Sequence, residues 1–260
     1  MLPTLTGTND QDALHEIHIF MKDINPSEDV LKTYNVAVAE WNDKHPNSAY
    51  KMKACFLALV FRDAEGNENV VKVMQSARYF RSNDTQKVVE QCHKDTKWFE
   101  ERGLSVVREK IEAMAYGIRE IPLNEVDVVE GKYFEFHIKV GRKDNEKECP
   151  IEDSEIDSLS SISQMFSNKF KVPVPLSYNE NKNKLNQDGE GHQRFLNLRF
   201  RKGRNDCVER VNFVKSAIDD LTSFKVLKVI SEYVWFDTCV DMDKGWIDYT
   251  QEELAKMFNK

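Results

Sequence analysis

One order of residue periods, strand–helix–strand–strand–helix–strand, can be read twice along this chain, and it restricts the fold more than any single motif does. Alternating apolar residues mark strands over 15–24, 52–63, 70–80 and 104–117. Apolar residues at 3.6-residue spacing mark helices over 27–45 and 83–102, the first opened by Ser27 as N-cap and the second stopped by Gly103. The turn Ala64-Glu-Gly-Asn67 joins the second and third strands. The succession then recurs, with strands over 132–141, 172–179, 192–203 and 224–237 and helices over 153–169 and 205–221. Pro173 and Pro175 suit an edge position for the 172–179 strand. The pairs Glu16/Glu135, His18/His137, Arg78/Arg199, Glu112/Glu232 and Asn83/Asn205 stand at offsets of 119 to 122 residues. This steady spacing reads as an internal duplication.

A βαββαβ unit forms a four-stranded antiparallel sheet with both helices on one face. The expected architecture is therefore α+β, with tandem ferredoxin-like βαββαβ units whose sheets pack open face to open face around a shared cavity. The first unit spans 1–117, a linker 118–131, and the second unit 132–260. Polar loops are expected over 142–155 and 179–191. The cluster Gly189-Glu-Gly191 in the second is too small for a phosphate loop.

The candidate chemistry follows from strand alternation. In Tyr133-Phe-Glu-Phe-His-Ile-Lys-Val140, Phe134, Phe136 and Ile138 turn toward the helices while Glu135 and His137 turn to the open face. Glu16 and His18 repeat this beside Ile17, Ile19 and Met21. On the neighbouring third strands, Asn197, Arg199 and Arg201 share the open face, and Arg78 is placed there by analogy, near His18. Glu112 and Glu232 lie on flanking strands.

Four readings suit such Glu/His/Arg clusters. In the first, His18 and His137 are acid–base groups oriented by Glu16 and Glu135. Arg78, Arg199, Arg201 and Asn197, with Glu112 and Glu232, would then bind a small carboxylate- or phosphate-bearing molecule. In the second, the clusters are ion pairs that join the two halves without catalysis. In the third, the two histidines and their glutamates hold a metal, although i, i+2 strand spacing names no particular ion, so metal and cofactor stay unassigned. The fourth is RNA binding on the basic, aromatic-interleaved Arg194–Arg204 run; against it, Phe195 and Phe200 fall on opposite faces. The H-x-[ST] motif of two-histidine phosphoesterases is absent, because Phe20 and Lys139 stand where the hydroxyl is needed. Asp237, Asp241 and Asp243 match no calcium loop. His15, His45, His93 and His192 have no partner pattern, and Trp41 and Trp98 are expected to pack on the sheets.

Composition removes other classes. Thirty-seven Lys and Arg against 44 Asp and Glu give a net charge of −7, which disfavours nucleic acid and anionic membrane as partners. Five scattered cysteines without a C-x-x-C pair, no apolar run of membrane-spanning length and an opening MLPTLTGTNDQD unlike a leader together predict a cytoplasmic protein.

Val107-Arg-Glu-Lys-Ile-Glu-Ala113, the 133–140 strand, Arg194-Phe-Leu196, Glu232-Tyr-Val-Trp-Phe-Asp237 and Asp243-Lys-Gly-Trp-Ile247 are similar, in this order, to phrases of an uncharacterised group of bacterial hypothetical proteins. The resemblance covers most of the chain and implies the duplicated layout. It brings no activity.

Overall fold

The computed structural model describes residues 2–8, 11–62, 68–143, 151, 153–179 and 194–240. Its elements in chain order are β1 (Leu14–Ile24), α1 (Glu28–Lys44), β2 (Lys53–Arg62), β3 (Glu68–Arg81), α2 (Thr85–Glu100), β4 (Val106–Met114), β5 (Tyr133–Arg142), α3 (Asp153–Phe170), β6 (Leu176–Asn179), β7 (Arg194–Phe200), α4 (Arg204–Leu221) and β8 (Phe224–Asp237). The turn at 64–67, the loop residues 144–150 and 180–193 with Gly189, Gly191 and His192, and Asp241 and Asp243 lie outside the described residues.

The local signals act as their chemistry requires. Ser27 Oγ accepts from Val30 N at the start of α1, and Asp84 Oδ1 accepts from Gln86 N and Lys87 N at the start of α2. Gly103, at φ +76°, takes the left-handed conformation that ends α2. Tyr34, Ala37, Val38 and Trp41 recur at helical spacing and form the buried stripe of α1. The amides of Arg204 and Asn205 donate to the carbonyls of Pro122 and Leu123, so the 118–131 segment caps α4. At Gly203 a Cβ would stand 2.4 Å from the backbone carbon of Asn124, so this close docking requires glycine.

The strands do not form two facing sheets. They close into one antiparallel barrel in the order β1-β3-β2-β6-β7-β5-β8-β4. This corrects the expectation of tandem ferredoxin-like units packed open face to open face. A four-stranded sheet ends in two strands with unpaired N–H and C=O groups. Here those edges meet, β2 with β6 through Leu57↔Asn179 to Val60↔Leu176, and β4 with β8 through Lys110↔Asp237 to Met114↔Glu232. Ring closure satisfies the backbone and turns the polar faces into a barrel interior. The apolar core lies outside the ring, between strands and helices, where Ile17, Ile19, Met74, Phe99, Ile111, Phe134, Phe136, Phe166 and Phe200 are buried. The strand expected over 172–179 shrinks to Leu176–Asn179, because Pro173 and Pro175 have no amide to donate.

A buried clamp holds the β4–β8 seam beside a bulge between Ile111 and Glu112. Arg108 grips Asp237 with Nε to Oδ1 at 2.9 Å and Nη2 to Oδ2 at 2.5 Å, and Tyr133 donates its hydroxyl to Oδ2 at 3.2 Å. Removing one partner of such a pair strands a buried charge. Arg108→Met is expected to destabilise the fold by about 3–5 kcal/mol in urea melts, and Arg108→Met/Asp237→Leu to recover most of that loss.

Candidate functional site

The interior layer follows from strand register. Glu16 on β1 stands opposite Tyr79 on β3 and Glu112 on β4, and His18 stands opposite Ala77 and Lys110. Glu135 on β5 stands opposite Arg199 on β7 and Glu232 on β8, and His137 stands opposite Asn197. The expected residues Glu16, His18, Glu112, Glu135, Asn197, Arg199 and Glu232 are therefore brought together, all buried, with His137 half-buried among them. Arg201, just past the end of β7, is half-buried.

Arg78 is not in this layer. It pairs with Ile17, so it points outward to the helices, where Nε donates to the buried Asp95 at 2.6 Å and the guanidinium lies 5.0 Å from the Trp41 ring centre. The analogy with Arg199 fails by one residue of register, and one residue turns a strand side chain to the opposite face. Tyr79 occupies the position opposite Glu16 that Arg199 occupies opposite Glu135.

Strand alternation around the two Glu-x-His pairs does not single out Lys110, Gln75 or Tyr79, yet Lys110 and Gln75 carry much of the layer's order. Lys110 Nζ sits 2.5 Å from Glu112 Oε1 and 2.8 Å from Glu135 Oε2, tying β4 to β5. Arg199 Nη2 donates to Glu135 Oε1 at 2.6 Å. Burial alone would raise the Glu135 carboxyl, but Arg199 and Lys110 outweigh it and hold its pKa low. The same contest at Glu112, against Lys110 and His18, ends well below the carboxylate range. Lys110 could have been found from its position two residues before Glu112, on the same strand face.

Both interior histidines, His18 and His137, meet a carboxylate. His18 Nε2 lies 2.9 Å from Glu112 Oε2, with Gln75 Nε2 2.5 Å from Nδ1. His137 Nε2 lies 3.2 Å from Glu232 Oε2 and 3.6 Å from Glu135 Oε1, while Nδ1 lies 2.6 Å from Asn197 Oδ1. Asn197 Nδ2 donates to Pro175 O and Ser177 Oγ, which turns its carbonyl oxygen toward His137. That oxygen can only accept, so Nδ1 carries a proton and Nε2 is the position that gains or loses one.

The His137–Glu232 pair titrates on the alkaline side of neutrality. Burial pushes Glu232 up, the charges of Glu112 and Glu16 add to it, and the pKa reaches about 8 despite His137. Burial would depress His137, but its hydrogen bond to Glu232 and the charges of Glu135, Glu232 and Glu112 lift it to about 9. The pair thus holds protons that an unfolded chain would release, with 28% of the His137 side chain open to solvent.

No family model matches the chain, and no curated protein matches it. Among solved structures, a dye-decolorizing protein from V. cholerae is similar at 10% identity over 94% of this chain and 97% of that one, with a TM-score of 0.27. A putative monooxygenase from Lactobacillus acidophilus is similar at 9% identity over 86% of this chain and 93% of that one, with a TM-score of 0.24. A mutant chlorite dismutase from Candidatus Nitrospira defluvii is similar at 8% identity over 86% and 92%, with a TM-score of 0.25. Overlaps this low carry no argument about chemistry. No described helix is long and apolar enough to cross a membrane.

The held protons make stability depend on pH. Above pH 7 the unfolded chain has lost the Glu232 proton and most of the His137 proton, while the folded chain keeps them to about pH 8 and about pH 9. His18 is raised as well, its own burial being outweighed by Glu112, and acts in the same direction. His15, depressed by burial, is neutral in this range in both states. The folded state binds the extra protons, so stability falls as pH rises from 7 to 9. The expected loss is at least about 1.4 kcal/mol, the worth of one pKa unit, in urea melts across that range. Glu232→Gln should flatten the slope between pH 7 and 8.

Proposed function

We propose that the barrel interior is an acid–base site for a small carboxylate- or phosphate-bearing molecule, with His137 and Glu232 as the groups that exchange protons with it. The observation that carries this reading is the position of His137. Its Nδ1 is committed to Asn197, its Nε2 faces a carboxyl at 3.2 Å, and part of its ring reaches solvent. A general acid or base works best when its pKa lies near the working pH, and both members of this pair lie within reach of neutrality. In this role Glu135, Lys110 and Arg199 set the local field, Asn197 positions the imidazole, and the imidazolium supplies the charge that attracts an anion. The expected roles of His18 and Glu16 belong to the same layer, one half-barrel away.

A second reading has its own support. Arg199 and Lys110 spend hydrogen bonds on Glu135, as expected of a network that only joins the halves. The two readings separate in a thermal-shift panel of dicarboxylates and phosphorylated metabolites on the purified chain, since a ligand of the folded state raises the melting temperature. The acid–base reading expects at least one compound to raise it, with affinity falling about tenfold or more in a folded His137→Gln variant and with a pH dependence altered by Glu232→Gln. A flat panel, or binding that His137→Gln leaves unchanged, would hand the layer to the second reading.

A further inference from the structure

We infer that Glu16, His18 and Glu112 form a binding site for one divalent first-row transition-metal cation, separate from the His137–Glu232 pair. Each residue brings one ligand atom into a group whose members all lie within 4.8 Å of one another, and all three side chains are buried. Two ligands that each stand about 2.1 Å from one ion can be at most about 4.2 Å apart. Closing this group around an ion therefore takes less than about an ångström of side-chain movement.

Register supplies the first reason for a cation here. Glu16 and Glu112 are direct cross-strand partners on β1 and β4, and like charges placed opposite one another in a sheet repel. In a buried layer that repulsion is strong, and a cation placed between the carboxylates relieves it. Glu112 Oε1 lies 2.5 Å from Lys110 Nζ, but at an angle that makes no hydrogen bond, and it has no other hydrogen-bond partner among the described residues. The carboxylate thus meets one cation on its Oε1 side and keeps Oε2 directed at His18.

Donor chemistry supplies the second. A set of two carboxylates and one imidazole suits Mn2+, Fe2+ or Zn2+, because hard oxygen and borderline nitrogen donors are combined.

The surroundings are those that orient metal ligands. Gln75 stands 2.5 Å from His18 Nδ1. With its amide oxygen turned to that atom, Gln75 accepts from Nδ1–H and leaves Nε2 as a lone-pair donor. Tyr79 stands directly opposite Glu16 on β3, on the other side of the carboxylate from Glu112. Lys110 braces Glu112 against β5 through Glu135.

Calorimetric titration of the purified chain with Mn2+ tests the site, with Glu16→Gln, Glu112→Gln and Gln75→Ala as variants. The expected result is saturable binding at a single site, weakened at least about tenfold by either Glu→Gln change and about tenfold by Gln75→Ala. Absence of saturable binding to the parent up to millimolar Mn2+ overturns the inference, as does parent-like binding by variants that circular dichroism shows to be folded. If the variants do not fold, pulsed electron paramagnetic resonance of Mn2+ on the parent decides. Nitrogen modulation from a coordinated imidazole supports the site, and its absence overturns it.

Discussion

Everything inside the barrel depends on how one ammonium group is shared. Lys110 comes from β4, in the first half of the chain, yet it touches Glu135 on β5, in the second, as well as Glu112 on its own strand. Two carboxylates buried this deeply stay ionised because Lys110 stands between them, with His18 beside Glu112 and Arg199 beside Glu135, and Lys110 stays charged because of the carboxylates. Arg199 completes the arrangement from the far side of Glu135. The pairing is cooperative in the sense that no member has a comfortable state without the others. The two half-rings are tied together through charge as well as through backbone hydrogen bonds.

Ring closure explains how so polar an interior is tolerated. A sheet with helices on one side must offer its other face to water, a partner or itself. This chain chooses the last, and the alternation that buries Ile17 and Ile19 under helices delivers Glu16 and His18 to the inside. Most of that was legible in the sequence, because period-two patterning specifies faces directly: Glu16, His18, Glu135 and His137 lie where alternation puts them. Glu112 and Glu232 also reach the layer, as cross-strand partners of Glu16 and Glu135.

What the sequence withheld has physical reasons. Periodicity describes the two faces of a strand and is silent about its edges, so nothing in the pattern distinguishes two facing sheets from one ring. Matching the halves residue by residue also hid Lys110, since the residue opposite His137 on β8 is Ile230, whereas Lys110 stands opposite His18. Arg78 misled in the reverse sense, because an arginine at the right offset carries no label for which face it takes. Its partner, Asp95 on α2, sits at a helical position that no strand comparison would consult.

The register of β3 carries a further consequence. Glu16 faces Tyr79 where Glu135 faces Arg199, and a guanidinium one residue away, at Arg78, is spent on the outer layer. Two half-barrels whose first strands each carry Glu-x-His thus present different chemistries to one interior, one closed by a phenol and the other by a cation. For a protein built of paired half-rings, the loops between strands are therefore as powerful an instrument of chemical change as the side chains themselves. A single inserted or deleted residue ahead of such a strand would exchange its inward and outward faces wholesale and rewrite the charge of the interior in one step.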